Sequence, residues 1–278
     1  MSNAPAPVAF LGPLGTYSHL VASKRFGRGV ELMPLAGVAD VCRWVSRHPG
    51  TLGVIPIENS SGGAINETVD ILLDNRPRVY VVEELALDVK LALLGREGYP
   101  VRRLHSHFVP LEHCAGWIGR HLGRVETRAE ASTALAAAHV TIDPHAAALG
   151  GRHLARQFGL DVLAFPVESD TPNITTFVVV TGRKPAPAPS AKITLSVRLP
   201  NDPGSLYRFL GVFEERAVNL SRLVSRPVRG VPGQYAFLVD LEGDITTPPV
   251  RRALAEARRR SEALRVCGAF PRGRTYRS

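Results

Sequence analysis

The sequence predicts an α/β protein of two units, and three observations carry that expectation. Short apolar runs alternate with amphipathic stretches over residues 1–182. A proline–alanine segment, Arg183-Lys184-Pro185-Ala186-Pro187-Ala188-Pro189-Ser190-Ala191, then interrupts the pattern. A shorter stretch follows with the element order βαββαβ. Alternating prolines favour an extended, semi-rigid spacer. The domains are therefore expected at 1–182 and 192–278, with 183–191 as the linker. A chain of 278 residues has room for both.

In the first unit, residues 8–11 form a strand stopped by Gly12-Pro13, and a helix begins near Ser18. Residues 52–57 are the next strand. A helix begins near Asn66 and carries residues 67–73. Residues 79–83 and 87–94 read as strands, 104–107 ends another, and 111–121 is helical. The alanine-rich residues 131–139 are expected to be a helix, and so are residues 144–158, with Val140-Thr141-Ile142 between them. Strands at 163–167 and 176–180 close the unit. Such alternation implies mostly parallel sheets. The spacing allows two lobes, 8–83 together with 161–182, and 84–160, with a cleft between them that suits a ligand.

In the second unit, residues 192–199 alternate apolar and polar, as a half-buried strand does. Asn201-Asp202-Pro203-Gly204 is a turn. Residues 206–216 are helical through Leu206, Phe209, Leu210 and Phe213. Residues 220–227 and 235–241 are strands, 250–264 a helix and 265–270 a last strand. This order is the ferredoxin-like split βαβ unit.

Composition excludes several classes. No apolar run reaches the roughly 18 residues of a membrane span. The N-terminus, Met1-Ser2-Asn3-Ala4-Pro5-Ala6-Pro7, has no basic segment followed by an apolar one, so no signal peptide is expected. Three widely spaced cysteines, Cys42, Cys114 and Cys267, argue against a disulfide framework or a cysteine zinc site and suit a reducing cytoplasm. The net charge of +9 raises the question of nucleic acid. The arginines are scattered, however, and the cluster Arg251, Arg252, Arg258, Arg259 and Arg260 is interspersed with Glu256 and Glu262, as on a solvated helix face. Scattered arginine also attracts an anionic metabolite.

The chemistry gathers at strand ends. Pro56-Ile57-Glu58-Asn59-Ser60-Ser61-Gly62-Gly63 runs from an apolar strand through a carboxylate, an amide and two hydroxyls to a helix. Free backbone N–H groups and the helix dipole there favour an anion, and glycine lets the backbone approach it. A polar loop capping a helix would look the same. Gly12-Pro13-Leu14-Gly15-Thr16-Tyr17-Ser18 offers hydroxyls at another helix start. His105 and His107 end a strand that leads to Cys114. Ser132-Thr133 opens the alanine-rich helix. Asp170-Thr171-Pro172-Asn173-Ile174-Thr175-Thr176-Phe177 enters the last strand and puts Asn173 and Thr175 near the cleft mouth.

Taken in order, these pieces resemble the prephenate dehydratase family. Gly12-Pro13-Leu14-Gly15-Thr16-Tyr17-Ser18-His19 is similar to its N-terminal motif. Pro56-Ile57-Glu58-Asn59-Ser60 with Thr68-Val69-Asp70 is similar to the next, and Ser106-His107 with Cys114, Ser132-Thr133 with Ala136-Ala137, and Phe158-Gly159-Leu160 follow. Asn173-Ile174-Thr175-Thr176-Phe177 stands where the family has Asn-x-Thr-Arg-Phe. The second unit resembles the ACT domain, a small amino-acid-binding module, through Gly204-Ser205-Leu206 and Ser225-Arg226-Pro227.

The resemblance implies a periplasmic-binding-protein-like two-lobed catalytic domain followed by the ACT domain. It implies a lyase that needs no metal or other cofactor and turns prephenate into phenylpyruvate for phenylalanine synthesis. Thr175, Glu58, Asn59 and Ser60 are then the expected catalytic residues, with Thr175 donating to the departing hydroxyl and Glu58 relaying a proton to it. Thr16, Ser18, His107, Ser132, Thr133, Asn173, Thr176 and Phe177 are the expected substrate contacts. Gly204, Ser205, Leu206, Val224, Ser225, Arg226 and Pro227 are the expected regulatory contacts. A cytoplasmic homodimer or homotetramer is expected, with no nucleic-acid or membrane partner.

Three departures bear on this. Thr176 replaces an arginine, Phe108-Val109 replaces Pro-Gln after the motif histidine, and Val224 replaces the glutamate of Glu-Ser-Arg-Pro. A non-aromatising prephenate decarboxylase and a non-catalytic small-molecule sensor stay open as alternatives. The loss at position 224 predicts weak or absent inhibition by phenylalanine.

Overall fold

The computed structural model describes residues 5–167 and 172–278, so Asp170 and Thr171 of the last motif lie outside the described residues. Among the described residues, 11 strands form one sheet and 5 form another. The first sheet starts with β1 (Val8–Leu11), β2 (Leu32–Leu35), β3 (Leu52–Asn59), β4 (Gly63–Ala64) and β5 (Tyr80–Asp88). The chain then crosses at Val89 and Lys90 into the second sheet. There it lays down β6 (Leu91–Gly95), β7 (Arg103–Ser106), β8 (Glu126–Ala129), β9 (Ala146–Gly151) and β10 (Asp161–Val167). It returns to the first sheet with β11 (Ile174–Thr181), which is inserted antiparallel between β3 and β5.

The first lobe is covered by α1 (Tyr17–Phe26), α2 (Val38–Arg47) and α3 (Asn66–Asp74). The second carries α4 (Phe108–His113), α5 (Ala115–His121), α6 (Thr133–His139) and α7 (His153–Phe158).

The sheets are mixed rather than mostly parallel. β1, β2 and β3 run parallel, as do β7, β8 and β9, whereas β6, β10 and β11 run antiparallel to their neighbours. The lobe boundaries also move: residues 84–88 stay in the first sheet, and 161–167 pair with β6 in the second. Residues 144–158 are not one helix. Ala146–Gly151 is β9, buried along its whole length, and only His153–Phe158 is helical. A strand covered on both faces shows a continuous apolar run, which periodicity cannot tell from a buried helix.

The second unit continues the first sheet. Its strands β12 (Lys192–Arg198), β13 (Leu220–Pro227), β14 (Tyr235–Glu242) and β15 (Ala263–Phe270) stand in the order β13-β14-β12-β15, and β15 meets β5 where Gly268 pairs with Val81. A final strand, β16 (Arg274–Arg277), runs parallel to residues 85–88 of β5. One face of this sheet packs on α8 (Ser205–Glu214) and α9 (Pro248–Arg259) around Phe209, Phe213 and Ala253. The other face gives Leu238, Cys267 and Phe270 to a core shared with Val69 and Leu72 of α3.

The join depends on a residue without a side chain. A Cβ on Gly268 would stand 2.2 Å from the Val81 carbonyl oxygen. Gly268→Ala is therefore expected to destabilise the protein by about 1–3 kcal/mol, the usual cost of overpacking. A denaturation midpoint equal to that of the parent would contradict the close approach.

Candidate active site at the junction of the two lobes

The ends of β3 and β11 meet where the chain passes between lobes. Thr175 pairs with Asn59 across the two strands, and the Asn173 carbonyl accepts from the Val89 N–H at 2.8 Å. Thr176 pairs with Glu58, but the next partner of β11, Phe177, faces Pro56. Ile57 is left without an opposite number, so a β-bulge sits at Ile57–Glu58. Bulges re-aim side chains beside functional sites. Here the bulge puts both Ile57 and Glu58 on the face toward the second unit and turns Asn59, with Thr175, to the other face.

The Asn59 amide is the centre of the arrangement. Its Oδ1 accepts the backbone N–H groups of Ser61 at 2.9 Å and Gly62 at 2.8 Å. Two fixed backbone donors define which end is oxygen. Nδ2 then donates to Asn173 Oδ1 at 3.0 Å and to Thr175 Oγ1 at 2.9 Å. Thr175 thus accepts with one lone pair and keeps its own hydroxyl proton to donate. Ser60 ties the two strands: its Oγ donates to the Pro172 carbonyl at 2.8 Å and accepts from the Ile174 N–H at 2.9 Å. The loop faces the second lobe, since Ser61 Oγ lies 2.8 Å from His113 Nδ1 and Gly62 abuts Val109.

The other expected site residues fall into three groups. Thr16, His107 and Ser132 cap α1, α4 and α6 by accepting the His19, Val109 and Leu135 N–H groups. Burial lowers the pKa of His107. Ser18 and Thr133 are buried where the lobes meet, and Thr133 lies beside the buried hydroxyl of Tyr17, whose pKa burial raises. Phe177 lies in the core with Phe10, Val54 and Leu85. It is packing, not cleft lining.

Glu58 and Thr176 are the clearest displacements. The Glu58 carboxylate accepts from Arg222 Nε at 2.7 Å, on the face away from Thr175. Thr176 is opposite Glu58 and Ala86 on that same face. An arginine at position 176 would point at the second unit. In this structure, then, Glu58 and Thr176 lie on the face opposite Thr175, and Glu58 is held by Arg222.

Sequence reasoning missed His153 and named Tyr17 only as part of the turn at 12–18. His153 Nε2 lies 2.8 Å from the Gly15 carbonyl and links α7 to the turn before α1. No local pattern marks His153, because its link exists only once the lobes are assembled. His105 and His139 both contact Glu130 Oε1, at 2.8 and 3.0 Å, and these bonds, His105 first, lower the Glu130 pKa. A cavity of about 750 Å³ lies elsewhere, between α3 and the sheet of the second unit, and holds none of Asn59, Asn173 and Thr175.

Comparison with known proteins gives the family. The family model described as prephenate dehydratase matches residues 8–185, and the ACT domain model matches residues 193–259. The chain belongs to the prephenate dehydratase family. The prephenate dehydratase of Corynebacterium glutamicum is 32% identical over 99% of this chain and 90% of its own. The bifunctional chorismate mutase/prephenate dehydratase of Stutzerimonas stutzeri is 32% identical over 96% of this chain and 74% of its own. The structure of the prephenate dehydratase of Arthrobacter aurescens in complex with L-Phe superposes with a TM-score of 0.86 at 30% identity, over 96% of this chain and 90% of that one. GqqA, described as a novel type of quorum quenching acylase, superposes with a TM-score of 0.83 at 31% identity, over 96% and 97%. Within the prephenate dehydratase family the fold is a two-lobed α/β catalytic domain followed by an ACT domain, and the enzyme class is a lyase.

Proposed function

We propose that this chain converts prephenate into phenylpyruvate, CO₂ and water, in phenylalanine biosynthesis, at the Asn59–Asn173–Thr175 centre. The carrying observation is the Thr175 hydroxyl, held by Asn59 with its proton left to donate. Prephenate is a dianion with a ring carboxylate and a ring hydroxyl. The carboxylate leaves as CO₂ and its bonding electrons enter the ring. The C–O bond breaks, and the departing hydroxide takes one proton from the solvent to become water. Aromatisation supplies the driving force. A donor fixed where negative charge develops needs no reorganisation during the reaction. Thr175 donates to the departing oxygen, Asn59 orients Thr175, and Asn173 orients Asn59.

Purified protein mixed with prephenate, followed by absorbance and mass, tests this. Phenylpyruvate is expected. A decarboxylated product that keeps its hydroxyl points to the non-aromatising decarboxylase, and unchanged prephenate points to a sensor. One contact favours a second reading, acyl transfer. Ser61 beside His113 is the nucleophile–base pair that reaction uses. Cleavage of an N-acyl amide that Ser61→Ala abolishes would support it.

Assembly and regulation belong to the same proposal. The ACT strand β13 ends its sheet, and Leu223 and Tyr235 are exposed beside it. Uncovered edges are aggregation hazards, so we infer a homodimer or homotetramer built through this edge. Three buried free cysteines suit the cytoplasm. Val224 packs inward against the core shared with α3. Its replacement of glutamate therefore removes nothing from the outer surface, where Ser225 and Pro227 are exposed. An amino-acid effector near Gly204, Ser205, Leu206 and Ser225 follows, bound better than the sequence alone predicts. Calorimetry is expected to show saturable phenylalanine binding. No heat at millimolar phenylalanine would contradict it.

A further inference from the structure

β13 presents Arg222, Val224 and Arg226 to the catalytic domain, while Ser221, Leu223 and Ser225 face out. Arg226 clamps Asp70 of α3 through Nε at 2.6 Å and Nη2 at 3.1 Å. Arg222 is more deeply placed, with a side chain only 9% exposed. It reaches three carboxylates. Nε donates to Glu58 Oε2 at 2.7 Å, Nη1 donates to the fully buried Asp240, and Nη2 lies 3.6 Å from Glu84 Oε2. Lys192 Nζ holds the other Glu84 oxygen at 2.6 Å, and Thr194 Oγ1 donates to Asp240 Oδ1 at 2.6 Å.

Placing Arg222, Asp240 and Glu84 in the interior costs desolvation that an apolar patch would avoid, so stability alone does not account for the cluster. Its placement does. Asp240, Lys192 and Thr194 anchor the arginine inside the ACT domain. Glu58 and Glu84 belong to β3 and β5, the strands on either side of β11. Glu58 is part of the bulge and immediately precedes Asn59.

We propose that Arg222 is a positioning residue for the catalytic centre, supplied by the ACT domain: by holding Glu58 it fixes the bulge that turns Asn59 toward Thr175. The proposal rests on the dehydratase reading only for its kinetic readout. Any movement of β13 within the ACT domain would reach Asn59 through two side chains.

Glu58→Gln tests this with little risk to folding, because Arg222 keeps Asp240 and Glu84. The full-length variant is expected to lose about tenfold in kcat with KM within about twofold, inside the roughly 10²-fold that a 1 Å misplacement costs. The pH profile of kcat keeps its shape, since Glu58 moves no proton. Arg222→Lys, which keeps charge and loses the fork, gives a similar loss, and the double variant is no worse than the worse single one. Hydrogen exchange at the Ser61 and Gly62 amides, both held by Asn59, speeds up in each variant.

That exchange measurement needs no turnover, so it separates failure of this proposal from failure of the dehydratase reading. Unchanged kcat together with unchanged exchange would overturn the proposal. So would loss of one limb of the pH profile, which would make Glu58 itself a proton donor. Additive losses would show that Arg222 does not act through Glu58.

Discussion

Thr175→Ala is expected to lower kcat by about 10²–10³-fold while KM moves by a small factor, the pattern for losing a donor used mainly in the transition state. Three features of the site lead there. Thr175 sits opposite Asn59 at the end of paired strands, so its position is set by the sheet rather than by a loop. Its oxygen already accepts from Asn59 Nδ2, which directs its proton elsewhere. Asn59 is in turn pinned by the Ser61 and Gly62 amides. Removing the hydroxyl leaves the scaffold intact and takes away only the group aimed at the departing oxygen. Steady-state kinetics on folded variant protein checks it. A variant with parental kcat would remove Thr175 from the chemistry.

Phe177→Ala is expected to cost about 3–5 kcal/mol of stability, the range for deleting a buried aromatic side chain. Phe177 is among the largest fully buried residues and packs in the core that joins Phe10, Val54, Leu85 and Val179. It stands two residues after Thr175 on a regularly paired stretch of β11, so alternation puts both on one face, with Phe177 one step deeper in the core. Urea denaturation reads the loss. A raised KM at parental stability would mean that Phe177 touches substrate instead.

The sequence carried the fold where local rules and tertiary context agree. Strand β13 runs over the residues expected for it, Leu220–Pro227, and its burial alternates because one face meets the catalytic domain and the other is exposed. The loop Glu58-Asn59-Ser60 was legible as a strand end opening onto a helix. Which of its residues faces the cleft was not, because that depends on a single unpaired residue in a bulge. Period-two reasoning has no term for such an insertion.

Three expected contacts, Thr16, His107 and Ser132, use their side chains to satisfy helix N-termini. For the two hydroxyls this is the use such side chains commonly have at those positions, and the His107 ring nitrogen does the same. β9 was hidden for a compositional reason. Alanine and glycine suit both a buried helix and a strand squeezed between two layers, and only the pairing with β6 and β7 decides. Arg222 had no signature at all: Asp240 is its neighbour across the ACT sheet, but Glu58 and Glu84 are far off in the sequence and meet it only after the domains dock.

The central claim is that the Thr175 hydroxyl, held by Asn59, assists the departing oxygen. Comparing Thr175→Ser with Thr175→Val under saturating prephenate tests it most directly. Serine keeps the hydroxyl and loses a methyl group, whereas valine keeps the shape and loses the hydroxyl. Phenylpyruvate formation within about tenfold of the parent for serine, and reduced by about 10²–10³-fold for valine, is the predicted result. Equal losses in the two variants, or a faster valine variant, would contradict the account.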